Sequence, residues 1–211
     1  MKYSALIVAA GSGSRMNLGF NKVYAKLQDD KTILETTIQV FEKDTDCEEI
    51  IVVTDQEDFE KYIGHKENVL IVNGGNTRQQ SVSNGLQNVH TDYVFIHDGA
   101  RPYVDEDSLN RLKQSLEVNK AALLAVPCKD TIKVTKDGFV ENTPDRSTLI
   151  AAQTPQAFET KLILSCMKMA EEAGFTGTDD CSIVERFSQE KIAVVEGSYA
   201  NIKITTKEDL C

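Results

Sequence analysis

Short apolar runs recur along the chain at Ala5–Ala10, Ile50–Thr54, Val69–Val72, Tyr93–Ile96 and Ala121–Val126. Most lack the in–out alternation of a half-exposed strand and read as strands buried on both faces, as in a parallel sheet. Segments of helical spacing lie between them. Thr32 and Glu35 form a capping box ahead of Leu34, Ile38 and Phe41. Asp107-Ser108 can start a helix whose apolar stripe is Leu109, Leu112 and Leu116. This alternation predicts right-handed crossovers and an α/β fold with a doubly wound, mostly parallel sheet. Ligands of such folds bind at the carboxyl ends of the strands.

One piece breaks the rhythm. Thr131–Thr135 alternates, Lys136-Asp137-Gly138 supplies a turn, and Phe139-Val140-Glu141 resumes. Alternation around Asp-Gly is a hairpin signal. Such an excursion packs on a partner or covers a site, and an ordinary edge hairpin fits the pattern equally well.

Composition then narrows the classes. The chain has 211 residues, the size of one α/β domain. Apolar residues at 41% and charged residues at 27% are globular proportions. A net charge of −10 argues against a protein that coats nucleic acid or an anionic membrane. No apolar run is long enough to span a bilayer. The first apolar stretch is too short for a signal peptide and runs straight into a glycine-rich turn, which predicts a cytoplasmic protein. The five cysteines form no C-x-x-C pair, and the three histidines lack metal spacing.

Three segments carry chemistry. The first is Ala9-Ala10-Gly11-Ser12-Gly13-Ser14-Arg15-Met16, after the first strand. Glycines there let backbone N–H groups cradle phosphate oxygens, though a structural βα turn has the same look. Met16-Asn17 stand where a Walker loop needs Gly-Lys, and Met16 replaces the third glycine of a dinucleotide fingerprint. Arg15 and Lys22 follow and can flank a polyphosphate. The second is Gly74–Val82, which follows a strand and opens a helix; two glycines before a helix N-terminus suit close approach to a planar base or an anion, though a plain loop has the same look. The third is His97-Asp98-Gly99-Ala100-Arg101-Pro102, at a strand's carboxyl end. Asp98 there can bind a metal or sugar hydroxyls, or can cap a turn and pair with Arg101. His97 points to the opposite face from Asp98 and reads as structural.

Asp130–Lys133, Asp145-Arg146, Gln153-Thr154-Pro155-Gln156, Thr178-Asp179-Asp180 and Asn201–Thr205 add Lys, Arg and Thr donors at element ends. In order and spacing, this whole set resembles the 2-C-methyl-D-erythritol 4-phosphate cytidylyltransferase family over nearly the full chain. The resemblance implies a Rossmann-like nucleotidyltransferase with a protruding hairpin arm. It implies transfer of a cytidylyl group from CTP to 2-C-methyl-D-erythritol 4-phosphate in isoprenoid precursor biosynthesis, with release of pyrophosphate, and with Mg²⁺ held mainly by the CTP phosphates and Asp98 near it. Arg15, Lys22 and Lys203 would be the catalytic residues. Ala9, Ala10, Gly11, Gly13, Gly75, Asn76, Arg78 and Ser81 would bind CTP, with Gly99 and Ala100 near its ribose. Asp98 and Arg101 would hold the acceptor hydroxyls, and Thr154, Thr178 and Lys203 its phosphate. Thr131 and Arg146 would reach into a partner subunit's site, which makes the hairpin at about 128–146 a dimerisation arm and the assembly a homodimer.

The chain departs from the family pattern at Asn21 and Val23, where relatives carry Pro and Gln around the lysine, and Asn17–Phe20 is also unusual. A more mobile approach to Lys22 is the expectation. The chain stops at Leu210-Cys211, where relatives add a helix, and a truncated chain or a short natural form both fit. The neighbouring ribitol-5-phosphate cytidylyltransferases, which make CDP-ribitol for wall polymers, share several of these segments. Arg78–Leu86 and Asp179–Glu185 look more like the methylerythritol enzyme. A non-catalytic nucleotide-binding homologue would account for the altered loop but not for the retention of both Arg15 and Lys22.

Overall fold

The computed structural model describes residues 1–11 and 19–210. Among them, the strands β1 (Tyr3–Val8), β2 (Cys47–Val53), β3 (Val69–Val72), β4 (Tyr93–Asp98), β5 (Ala121–Pro127), β8 (Ile150–Glu159) and β9 (Ala193–Glu196) form one sheet in the order β3-β2-β1-β4-β8-β5-β9. The helices are α1 (Ile33–Lys43), α2 (Gln56–Tyr62), α3 (Arg78–Leu86), α4 (Glu106–Leu116), α5 (Thr160–Glu172) and α6 (Asp180–Phe187). All neighbouring strands run parallel except β8, which is antiparallel to both β4 and β5.

Successive strand side chains face opposite sides, and both sides are covered. Ala5 and Ile7 of β1 pack with Leu34, Ile38 and Phe41 of α1 and Leu109, Leu112 and Leu116 of α4. Leu6 packs the other way, with Val82 and Leu86 of α3 and Ile163, Met167 and Ile183 of α5 and α6. This explains why the strands read as continuous apolar runs. The α1 capping box forms as expected: Thr32 Oγ1 accepts from the Glu35 amide at 3.1 Å, and Glu35 accepts from the Thr32 amide at 2.7 Å. The start of α4 lies earlier than the sequence suggested. Asp105, not Asp107, is the cap, accepting from the Ser108 amide at 2.7 Å.

The sheet order sets the ligand site. Three strands are added to one side of the sheet in the order β1, β2, β3, and β4 then returns to the far side of β1. The crevice above the β1/β4 junction is therefore a topological switch point. Val8 stands opposite Asp98 in the β1–β4 register, so both strands end together there.

β8 was not foreseen as a strand. Its middle, Gln153-Thr154-Pro155-Gln156, interrupts an apolar run with buried polar groups and a proline. Its register with β5 jumps from Leu123↔Gln156 to Ala125↔Ala152, so this segment bulges from the ladder. The hairpin does form, as β6 (Val134–Lys136) and β7 (Phe139–Asn142). Asp137 and Gly138 both take positive φ, 52° and 84°, the requirement of a tight primed turn. Pairing begins at Val134 rather than Thr131.

Candidate active site

A cavity of about 450 Å³ opens at the switch point. Five pieces of chain line it. The end of β1 contributes Val8, Ala9, Ala10 and Gly11; a 3₁₀ turn contributes Asn21, Lys22 and Val23. The approach to α3 contributes Gly75, Asn76, Thr77, Arg78 and Ser81, and the end of β4 contributes Asp98 and Ala100. Lys203 closes it from the C-terminal segment.

The glycine-rich approach to α3 is held by its own helix. Thr77 caps α3 by accepting from the Gln80 amide at 3.1 Å. Ser81 Oγ accepts from the Gly75 amide at 3.0 Å and donates to the Thr77 carbonyl at 2.9 Å. Gln80 Oε1 accepts from the Asn76 amide at 2.9 Å. A Cβ at Gly74 would collide with the Cβ of Ala10, so glycine is what lets this loop close against the first one.

Charge converges on Asp98. Lys203 Nζ is 2.8 Å from Oδ2, Arg78 Nε is 3.5 Å from Oδ1, and Arg101 Nε is 3.7 Å from Oδ2. Burial would push the Asp98 carboxyl up, but Arg78, Lys203 and Arg101 outweigh it and hold it down at about 2. Arg78 is itself fixed from behind. Its Nη1 and Nη2 donate to Asp180 Oδ1 and Oδ2 at 2.9 and 2.7 Å, a bidentate fork onto a fully buried carboxylate at the start of α6. Lys22 Nζ donates to the Ile204 carbonyl at 2.5 Å. The Ile204 amide donates to the Ala100 carbonyl at 2.9 Å, so the segment that carries Lys203 is pinned beside β4.

Other predicted residues do not line the cavity. Gly99 sits beneath it, its amide bonded to the Val8 carbonyl at 2.9 Å. Arg101 lies behind Asp98 and donates to the Asn201 carbonyl at 2.7 Å. Thr154 is buried under the floor. Its hydroxyl oxygen accepts from the Asp98 amide at 3.0 Å and lies 3.1 Å from His97 Nδ1. The structure thus gives Thr154 a supporting position, with its hydroxyl already occupied. His97 is structural, as its strand position implied: burial pushes it down to about 4, and Nε2 meets the Arg101 carbonyl at 2.9 Å. Thr178 is exposed just before the Asp179 cap of α6. Thr131 and Arg146 are exposed on the arm, where Arg146 donates to the Lys129 carbonyl at 2.9 Å. Gly13 and Arg15 lie outside the described residues, as do Asn17 and Leu18 of the unusual approach to Lys22. From Phe20 onward that approach is fastened, since Phe20 stacks on Tyr62 at 5.5 Å and Tyr62 on Tyr24 at 4.8 Å.

Sequence reasoning missed Thr77, Asn21 and the buried role of Asp180. Thr77 carried a signal, as a capping residue type directly before a helix. For a metal, Asp98 is the one carboxylate lining the cavity among the described residues, and its oxygens already face three cations. No group of three His, Cys, Asp or Glu side chains is arranged to hold an ion among the described residues.

The arrangement can bind and neutralise a multiply charged anion beside a planar group. The profile of the 2-C-methyl-D-erythritol 4-phosphate cytidylyltransferase (IspD) family matches residues 3–211. The curated enzyme of that name from Clostridioides difficile is 45% identical over 216 residues, covering 99% of this chain and 90% of the relative. The one from Bacillus cytotoxicus is 46% identical over 215 residues, covering 99% and 94%. Among solved structures, 4-diphosphocytidyl-2C-methyl-D-erythritol synthase from Anaerococcus prevotii superposes with a TM-score of 0.87 at 35% identity, covering 99% of this chain and 94% of that one. The Francisella tularensis 2-C-methyl-D-erythritol 4-phosphate cytidylyltransferase gives 0.87 at 32% identity, covering 100% and 97%. With matches of this identity running the length of the chain and a cation-lined cavity at its switch point, the chain belongs to the 2-C-methyl-D-erythritol 4-phosphate cytidylyltransferase family and is a nucleotidyltransferase.

Proposed function

We propose that the chain transfers a cytidylyl group from CTP to 2-C-methyl-D-erythritol 4-phosphate in isoprenoid precursor biosynthesis. The observation that carries this reading is the convergence of Lys22, Arg78 and Lys203 on one cavity in a chain of net charge −10. A phosphate oxygen of the acceptor attacks the α-phosphorus of CTP. The new P–O bond forms as the bond to the bridging oxygen of the β-phosphate breaks, and pyrophosphate leaves with that electron pair. Two anions must meet at about 3 Å, so catalysis consists of positioning and cancelling charge. Lys22, with Arg15, neutralises charge growing on the α-phosphate and the leaving group. The backbone of Ala9–Gly11 and of Gly75-Asn76 borders the cytosine, and Ala100 the ribose. Asp98, held by its three cations, accepts from the acceptor hydroxyls. Lys203 and Thr178 face the acceptor phosphate, with Thr154 supporting Asp98 from below.

The residues fit a Mg²⁺ that arrives on the triphosphate; they do not fit one held by the protein alone. Such an ion would neutralise phosphate charge, and Asp98, the one carboxylate lining the cavity among the described residues, would be the side chain to help hold it.

The test is pyrophosphate release with CTP and Mg²⁺, offering methylerythritol phosphate and ribitol 5-phosphate separately. Release with the first alone is expected. Release with ribitol phosphate alone would move the enzyme to wall-polymer synthesis. CTP binding without release from either would mark a non-catalytic homologue.

The reading extends to a cytoplasmic homodimer. No helix among the described residues is long and apolar enough to cross a membrane. The arm exposes Phe139 at 77% and Val140 at 62%, with Ile132 and Val134 beside them. An apolar set of this kind on a two-stranded arm suits a second copy of the chain, which would bring Thr131 and Arg146 to its site. Replacing Phe139 and Val140 by Asp is expected to shift the light-scattering mass from two chains to one and to lower turnover. An unchanged dimer would remove the arm from the interface.

A further inference from the structure

Asn21 stands immediately before Lys22 and lines the same cavity. Its amide side chain bonds in two directions. Nδ2 donates to the Ala9 carbonyl at 2.5 Å, at the end of β1. Oδ1 accepts from the Val23 amide at 3.3 Å and so caps the 3₁₀ turn Lys22–Tyr24. One end therefore grips the loop that borders the nucleotide, and the other grips the turn that carries the lysine. The far side of that turn is fixed separately. Tyr24 Oη lies 2.7 Å from Thr54 Oγ1, and the Ala25 amide donates to the Lys22 carbonyl at 3.0 Å. Without Asn21 the turn keeps its core anchors but loses its tie to β1.

The geometry points to Asn21 as the positioning residue for Lys22, a strut that sets the lysine relative to the Ala9–Gly11 loop. This rests on the role given to Lys22 above. The task requires a group with both a donor and an acceptor. Asp keeps the cap but turns a carboxylate oxygen toward the Ala9 carbonyl. Ser can cap but is too short to grip Ala9. Two neutral hydrogen bonds contribute only a small part of a domain's stability. A misplacement of about 1 Å in a reacting group can cost about 10²-fold in rate. Loss of the strut therefore shows in turnover far more than in folding.

The experiment is a kinetic cycle on the full chain with Asn21→Asp, Lys22→Ala and the double variant, reading kcat, KM for CTP and melting temperature. Asn21→Asp is expected to lower kcat by roughly 10- to 100-fold. KM for CTP should change much less, and the double variant should be no slower than Lys22→Ala alone. That non-additivity is the signature of acting through Lys22. Normal kcat in Asn21→Asp beside an impaired Lys22→Ala overturns the strut and leaves the catalytic reading standing. Multiplying losses in the double variant also overturn it. Normal kcat in Lys22→Ala overturns both. Should Asn21→Asp not fold, Asn21→Ser enters the same cycle and is judged by the same outcomes.

Discussion

Lys22→Ala is expected to lower kcat by on the order of 10² to 10³, with a smaller change in KM for CTP. At about 4 Å, two unit charges interact by roughly 4 kcal/mol in a partly screened site, so a phosphate and a triphosphate repel by several times that before they can react. The cations of the cavity are each held by neighbouring groups. Lys203 is paired with Asp98 at 2.8 Å, and Arg78 is forked onto Asp180. Lys22 Nζ donates to the Ile204 carbonyl at 2.5 Å, and its flexible stem can turn the ammonium toward charge that appears only as the α-phosphorus is attacked. An interaction made mainly in the transition state is lost from kcat rather than from substrate binding. Lys22→Arg should recover only part of the loss, because the planar fork places its donors differently. Steady-state pyrophosphate release decides the matter: near-normal turnover in Lys22→Ala removes the lysine from the chemistry.

The parts of this molecule that were legible in the sequence are those governed by local rules. The apolar runs of β1 to β5, the Thr32–Glu35 capping box and the Asp137-Gly138 turn each depend on neighbours within a few residues. β8 was not legible, because its centre trades apolar side chains for Gln153, Thr154 and Gln156, whose partners come from distant segments. The site shows the same division. The glycine loops and Asp98 were visible as motifs at strand ends. What surrounds Asp98 was not, since Lys203 reaches it across 105 residues and Arg78 meets Asp180 across 102. Thr154 illustrates the consequence: its motif marked it as important, and only the fold shows its hydroxyl committed to the Asp98 amide.

Arg78→Ala is expected to lower the melting temperature more than any other single change at the site, and by more at pH 8 than at pH 5. Asp180 is fully buried, and burial pushes its carboxyl up against the opposing pull of Arg78. Removing the guanidinium leaves a carboxylate with no fork to meet it. Breaking a buried pair in this way costs about 3–5 kcal/mol. For a domain of this size each kcal/mol moves the midpoint by roughly 2–4 °C, which gives a fall of roughly 6–20 °C. The pH dependence follows from linkage. Without Arg78 the folded chain holds a proton on Asp180 above the unfolded value of about 3.9, so the folded state binds more protons than the unfolded one. Stability is then greatest at low pH and falls as pH rises toward the folded pKa. Asp180→Ala exposes the opposite asymmetry. The group left behind is Arg78, which is 33% exposed and still 3.5 Å from Asp98, so the loss should be smaller and nearly independent of pH over this range. Adding Asp180→Asn to Arg78→Ala removes the ionisable group and should recover part of the lost midpoint at pH 8. Thermal melts of the three variants at both pH values test the pair independently of activity. Equal, pH-independent losses in Arg78→Ala and Asp180→Ala would show that volume, not the buried charge, dominates there.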